Sequence, residues 1–342
     1  MKLGLHIGYW GSGLPAHVPP AIAEAERLGF DSIWTAESYG SDALTPLAWW
    51  GASTSRVRLG TNLAQLSART PTAMAMAALT LDHLSGGRVA IGLGVSGPQV
   101  VEGWYGQPFA KPLARTREYV QIMRDVFARE APVTNDGPHY PLPFPSGSEL
   151  GKPLKSITHP PRADLPIMLG AEGPKNVALA AEIADGWFPI FFSPKHDAMY
   201  RDSLAEGFDR PGARHTPETF EVLPSAMVVI DDDVEKAADA LRPMIALYVG
   251  GMGAKEANFH FDVFVRMGYE AEAHQIQDLY LAGDKNAAIA AVPTRMVEEI
   301  SLIGPIEKIR DDIEPWRESM VTTMLLGTFQ PDVMRTMAEL VL

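Results

Sequence analysis

The segment Gly170-Ala171-Glu172-Gly173-Pro174-Lys175-Asn176 carries the most informative spacing in the chain. Two glycines bracket a short turn, and Pro174 suits the first position of a helix, where a missing N–H costs nothing. Such a turn offers free backbone N–H groups at the positive end of a helix dipole, an arrangement that receives phosphate. Lys175 adds positive charge. The same glycines also serve a plain strand-to-helix connection, so spacing alone leaves both readings open.

Other candidates follow strand-like segments. Glu37 lies just beyond Phe30–Thr35, where a carboxylate can orient a ring or exchange a proton, or simply cap the next turn. Ser38 and Tyr39 are weaker polar neighbours, and His6 sits in a buried strand, where a structural histidine competes evenly with a catalytic one. Asn62, Gln65 and Ser67 follow Val57–Thr61; Ser96, Gly97 and Gln99 follow Val89–Gly94. Tyr9, Trp10, Tyr39, Trp104, Tyr105, Trp187 and Phe188 can wall a ring-binding pocket. Trp49 and Trp50 are adjacent and cannot both face the same way on a helix, which assigns some of the aromatics to packing. The nine histidines form no recognisable metal set, and no His-Glu-x-x-His is present.

These candidates need elements that bring them together. Leu3–Ile7, Phe30–Thr35, Val57–Thr61 and Val89–Gly94 read as strands, separated by helices near 19–28, 45–54 and 70–84. The repeat of about thirty residues is that of βαβ units with a parallel sheet. The rhythm continues with a helix over 113–128, a strand over 165–169, a helix over 174–183, a strand near 186–189, helical segments over 194–207 and a strand over 222–230. Asp231 to Asp233 supply N-cap carboxylates for a helix to about 248, and a helix over 305–316, a strand over 321–326 and a helix over 331–340 close the chain. Eight strands result. A barrel takes roughly 250 residues. The expectation is therefore one α/β domain over 1–342, a (β/α)8 TIM barrel, with excursions at about 132–161 and 254–291. In a doubly wound sheet the first strand would lead into Gly-x-Gly-x-x-Gly, and Gly8, Gly11 and Gly13 have the wrong spacing. In a barrel, the candidates converge at the C-terminal ends of the strands.

Composition narrows the function classes. A net charge of −13 disfavours nonspecific binding of nucleic acid or an anionic membrane surface. The absence of cysteine removes disulfides, thiolate nucleophiles and cysteine-ligated metal centres. The N-terminus runs straight into a strand with no apolar leader, and no apolar run of about twenty residues occurs. A soluble cytoplasmic protein is expected.

Leu81-Asp82-His83-Leu84-Ser85-Gly86-Gly87-Arg88-Val89-Ala90-Ile91-Gly92-Leu93-Gly94 resembles the Asp-x-Leu-Ser-x-Gly-Arg motif of the bacterial-luciferase-like superfamily. Gly29–Trp34, Val57–Thr61, Gly170–Pro174 and Asp185–Trp187 fit the same framework in the same order. Within the superfamily, the chain looks most similar to the coenzyme F420-dependent oxidoreductases of actinobacteria. The resemblance implies a barrel with insertions, commonly a homodimer, and a deazaflavin or flavin in the mouth. It implies phosphate contacts from Gly170, Ala171, Glu172, Gly173 and Asn176, and ring-side contacts from Glu37, Thr61, Asn62, Leu63, Ser96 and Gly97. It also implies a non-prolyl cis peptide, here Asn62–Leu63, backing the ring. Two departures stand out: Glu37-Ser38 replaces the Asp-His pair of the sugar-phosphate dehydrogenases of this group, and Pro98 replaces an acidic residue. Cofactor binding carries over from the resemblance; substrate chemistry does not.

The expected activity is hydride transfer between deazaflavin C5 and a small organic substrate, an activated alkene or carbonyl before an alcohol. Glu37, Ser38 and His6 are the catalytic candidates. The alternatives are an FMN-dependent monooxygenase and a barrel that binds F420 without turnover.

Overall fold

The computed structural model describes residues 1–145, 147–148, 150–253, 255 and 258–342. Positions 146 and 149 of the first expected excursion, and 254, 256 and 257 of the second, lie outside the described residues.

The strands are β1 (Lys2–Gly8), β2 (Ser32–Thr35), β3 (Arg58–Thr61), β4 (Ala64–Gln65), β5 (Val89–Gly94), β6 (Ile167–Gly170), β7 (Gly186–Phe188), β8 (Glu221–Val222), β9 (Ser225–Ile230), β10 (Ser301–Gly304) and β11 (Thr323–Leu326). Every pairing between them is parallel, in the order β10-β9-β11-β1-β2-β3-β5-β6-β7-β8, with the short β4 also on β5. The segment from β8 into β9 closes the ring. Leu223 N–H donates to Trp187 O at 2.9 Å, while Thr322 N–H donates to Val222 O at 3.0 Å and Leu325 N–H to Pro224 O at 2.9 Å. The result is the expected α/β barrel. Its strand 222–230 is interrupted where Pro224, lacking an N–H, cannot donate to a ladder.

The barrel interior is filled by Trp34, Ala90, Met168, Phe188, Leu223 and Leu325. Trp34 fits because residue 60 is glycine: a Cβ there would lie 2.0 Å from the indole. Outside the sheet, helices bury one apolar face each; in Pro331–Val341 that face is Val333, Met334, Met337 and Ala338. Each large apolar side chain taken fully from water stabilises by about 1.5–3 kcal/mol.

At the N-terminal end of β5, Asp82 is fully buried. Its Oδ1 accepts from Val89 N–H (3.1 Å) and Arg162 Nη2 (2.9 Å), and its Oδ2 from Arg162 Nε (3.1 Å). Arg88 donates to the carbonyls of Gly51, Thr54, Val57 and Ser85. This polar knot ties helix Pro71–Ser85 to the strand that follows it.

Two features differ from expectation. The helix expected over 231–248 begins as foreseen, with the Asp233 carboxylate accepting from Glu235 N–H and Lys236 N–H, but splits into Val234–Asp239 and Arg242–Gly251. Pro243 restarts it, since a proline is tolerated only in a first turn. Strand β10 was not expected at all. It pairs with β9 outside the closed ring and floors a second apolar cluster that includes Leu241, Ile245, Val249, Val263, Phe264 and Ile303. The helical insertion is thus wider than 254–291, with helices Phe259–Arg266, Glu270–Leu281 and Lys285–Ala290 at its centre. The excursion at 132–161 lies along the flank of helix Pro71–Ser85: Leu142, Leu154 and Ile157 border a cleft with Thr72, Met76 and Thr80.

Candidate functional site

At the end of β3 the chain bulges, and the Asn62–Leu63 peptide is cis. Thr61, fully buried, donates through Oγ1 to Gly92 O (2.7 Å) and accepts from Gly92 N–H (2.9 Å), so its hydroxyl is consumed between β3 and β5. Leu63 turns its side chain toward the barrel axis. A Cβ at position 170 would lie 2.2 Å from Leu63 Cδ1, and one at position 94 would lie 2.7 Å from it. Gly170 is therefore required by close packing against the bulge, and that contact brings the ends of β3, β5 and β6 to one place.

Glu37 backs the bulge. Its Oε1 accepts from Gln65 N–H (2.9 Å) and Arg69 Nη1 (2.6 Å), its Oε2 from Ala43 N–H (3.1 Å), and its N–H donates to Leu63 O (3.1 Å). Burial works against the Arg69 charge, yet the Glu37 hydrogen bond and field outweigh it and hold the Arg69 pKa above its ordinary value. A carboxylate with three donors fixed on it is a clamp, and most of its acceptor capacity is already committed. Ser38 is tied through its carbonyl, which accepts from Tyr105 Oη–H (3.0 Å). Ser96 has a positive φ of 57°, and Gly97 caps the short helix Pro98–Val101.

His6 stands on β1 beside the bulge. Its Nε2 lies 3.3 Å from Asn62 O and its Nδ1 3.3 Å from Ser225 Oγ. Burial lowers its pKa, and the bond to the Asn62 carbonyl only partly opposes this. A neutral ring suits both neighbours, with Nε2–H donating to the carbonyl and Nδ1 accepting from the serine hydroxyl.

The turn Gly170–Gly173 enters helix Pro174–Ile183 with Gly173 as N-cap. Asn176 N–H and Val177 N–H return to Gly173 O at 2.9 and 3.0 Å. Among the described residues, the N–H groups of Glu172 and Gly173 have no backbone acceptor. Their orientation is fixed from behind. Trp187 Nε1–H donates to Ala171 O (2.8 Å), and Arg266 Nη2–H donates to Glu172 O (3.0 Å). In a trans peptide unit the C=O and the following N–H point in opposite directions. Anchoring the first carbonyl outward therefore aims Glu172 N–H the other way, and anchoring the second does the same for Gly173 N–H.

The aromatic expectation holds only in part. Phe188 is buried inside the barrel and Trp187 on the outer face of its strand against Tyr200, and Trp50 packs on Trp10 while Trp49 is exposed. Tyr9, Tyr39 and Trp104 are exposed. Two residues of helix Phe259–Arg266 escaped the sequence reading: Arg266, and His260, whose Nδ1 lies 3.1 Å from Glu172 Oε2. They stand about ninety residues from the turn they touch, and no local spacing links them to it.

The sequence matches the model of a known family. The luciferase-like monooxygenase family model matches residues 12–323, and the chain belongs to that family. Among its relatives is a Mycobacterium tuberculosis protein provisionally named a coenzyme F420-dependent oxidoreductase, 57% identical and covering 100% of this chain and 99% of its own. A 5,10-methylenetetrahydromethanopterin reductase of Archaeoglobus fulgidus is 27% identical, over 89% of this chain and 87% of its own. Among solved structures, the coenzyme F420-dependent tetrahydromethanopterin reductase of Methanopyrus kandleri superposes with a TM-score of 0.82 at 24% identity, covering 99% of this chain and 98% of that one. An F420-dependent secondary alcohol dehydrogenase superposes with a TM-score of 0.73 at 19% identity, covering 99% and 98%.

Proposed function

We propose that this chain is a coenzyme F420-dependent oxidoreductase. The observation that carries the reading is the pair of unpartnered N–H groups at Glu172 and Gly173, turned away from the Trp187 and Arg266 anchors on the carbonyls behind them. Such a pair, at a helix N-terminus, fits the phosphate of a deazaflavin tail. The bulge at Asn62–Leu63, with Leu63 wedged against Gly170, supplies a firm wall for the ring in this reading, with Ser96 and Gly97 as further ring-side contacts and Asn176 as a contact of the tail. The full-length relative named for F420 supports the same cofactor.

When bound, the deazaflavin supplies hydride chemistry at its C5. Reduction of an activated alkene or carbonyl adds that hydride and one proton to the substrate. His6 is the group placed to handle the proton: Nε2–H turns from Asn62 O to the substrate, Nδ1 takes the Ser225 hydroxyl proton in exchange, and water returns a proton to Ser225. Glu37 keeps the bulge in place and takes no proton in this reading. The FMN-dependent monooxygenase stays the second reading because of the family to which the chain belongs.

Fluorescence titration with F420 and with FMN separates the two: F420 is expected to bind more tightly, and the reverse order overturns the proposal. Reduced F420 is then offered a panel of enones and carbonyls. Accelerated reoxidation is expected with at least one. Tight binding with no acceleration by any of them identifies a cofactor-binding barrel without turnover.

A further inference from the structure

We infer that Arg266 is a positioning residue for the anionic tail of the cofactor, acting through the Glu172–Gly173 peptide. The inference rests on the phosphate reading of the turn and adds to it the element that sets its strength. Of the two anchors on the turn, Trp187 belongs to β7 and is part of the barrel wall, whereas Arg266 is the last residue of helix Phe259–Arg266 in the insertion. That helix is held by its own means. Asn258 is buried; its Nδ2 donates to Tyr248 O and Val249 O, both at 2.8 Å, and its Oδ1 accepts from His260 N–H and Phe261 N–H. Val263 and Phe264 seat the helix in the second apolar cluster.

From this fixed base the helix reaches the turn twice. Arg266 takes the Glu172 carbonyl, and His260 Nδ1 lies 3.1 Å from Glu172 Oε2, both atoms buried and without a well-formed hydrogen bond. A carbonyl left loose would let the Gly173 N–H rotate out of line. The insertion therefore governs how firmly the tail is gripped, while the ring site at β1 to β5 is built without it.

The test compares F420 with the same deazaflavin lacking the phosphate and everything beyond it, both measured by fluorescence titration. Arg266→Ala is expected to weaken F420 binding about fivefold, the worth of one hydrogen bond, and to leave the phosphate-free analogue unchanged, which also certifies the fold. A double-mutant cycle with Gly173→Pro, which deletes the N–H that Arg266 orients, separates positioning from direct attraction. If Arg266 acts through that N–H, Arg266→Ala adds nothing in the Gly173→Pro background. Equal losses for both ligands, no loss for F420, or full additivity in the cycle overturns the inference while leaving the phosphate reading in place. A wild-type protein that binds F420 no better than the analogue overturns the phosphate reading, and this inference with it.

Discussion

On the side of the mouth built from β1 to β5, Thr61 and Glu37 spend their hydrogen bonds on the protein itself, while Gln65 Oε1 and Ser67 Oγ stay buried without a partner. Thr61 bridges both backbone groups of Gly92, and Glu37 accepts from Ala43, Gln65 and Arg69. On the side built from β6 and its helix the carbonyls are satisfied from behind and the N–H groups of Glu172 and Gly173 are left over. The first side offers shape, and the second offers unused donors. A flat ring needs a wall that does not yield, while an anionic tail needs donors paid for in advance.

The sharpest way to break this contrast is to unsettle the saturated side. Glu37→Gln puts an amide NH2 in a buried site built for an acceptor and leaves half-buried Arg69 with only the Asp42 carboxylate, at 3.6 Å, and a loss of about 2 kcal/mol in chemical denaturation is expected. If stability is unchanged, the clamp is not what holds the bulge.

His6 belongs to the same side but faces the mouth. His6→Gln is expected to lower turnover about a hundredfold with F420 affinity retained; equal turnover removes His6 from the chemistry. The same variant tests the effect of burial on its pKa. An unfolded histidine titrates near 6.5, and the folded value lies lower. Neutral His6 thus contributes its full share of stability above about pH 6.5, and that share is lost as pH falls below 6.5 toward the folded value. Denaturation curves between pH 7 and 5 should therefore slope less steeply in His6→Gln than in the wild type.

The smallest effect is expected on the open side. Gly173 has φ −79°, which proline can adopt, and a Cβ there meets nothing within 4 Å. Gly173→Pro, which replaces the donor with the ring Cδ, should weaken F420 at least about tenfold, as for one charge-assisted hydrogen bond. Gly173→Ala keeps the N–H and should bind as the wild type does. If the alanine variant is as weak as the proline one, the donor is not the cause.

How much of this was legible in sequence follows from the range over which each feature is determined. The barrel strands announced themselves because each βα unit repeats locally, apolar run then periodic helix then glycine. Strand β10 did not: Ser301-Leu302-Ile303-Gly304 is a short apolar run among helices, and periodicity cannot sort four residues. Pro224 was visible within the strand read over 222–230, but the two-sided pairing that it permits depends on where β7 and β11 lie. In the site, the turn proposed for the phosphate was readable as a turn because glycine, proline and the helix start are contiguous. Glu37 was placed correctly at its strand end, but its donors come from positions 43, 65 and 69, and their convergence decides that it clamps. Arg266 was out of reach for the same reason, at greater distance.

The knot of Asp82, Arg88 and Arg162 lies at the floor of the barrel, at the opposite end of the strands from the mouth. It includes the stretch by which the chain is most readily recognised, yet it stands apart from the residues proposed for the cofactor. Descendants of one ancestor can keep that joint intact while exchanging every group at the rim, so kinship read from it certifies the scaffold and stays silent on what is reduced.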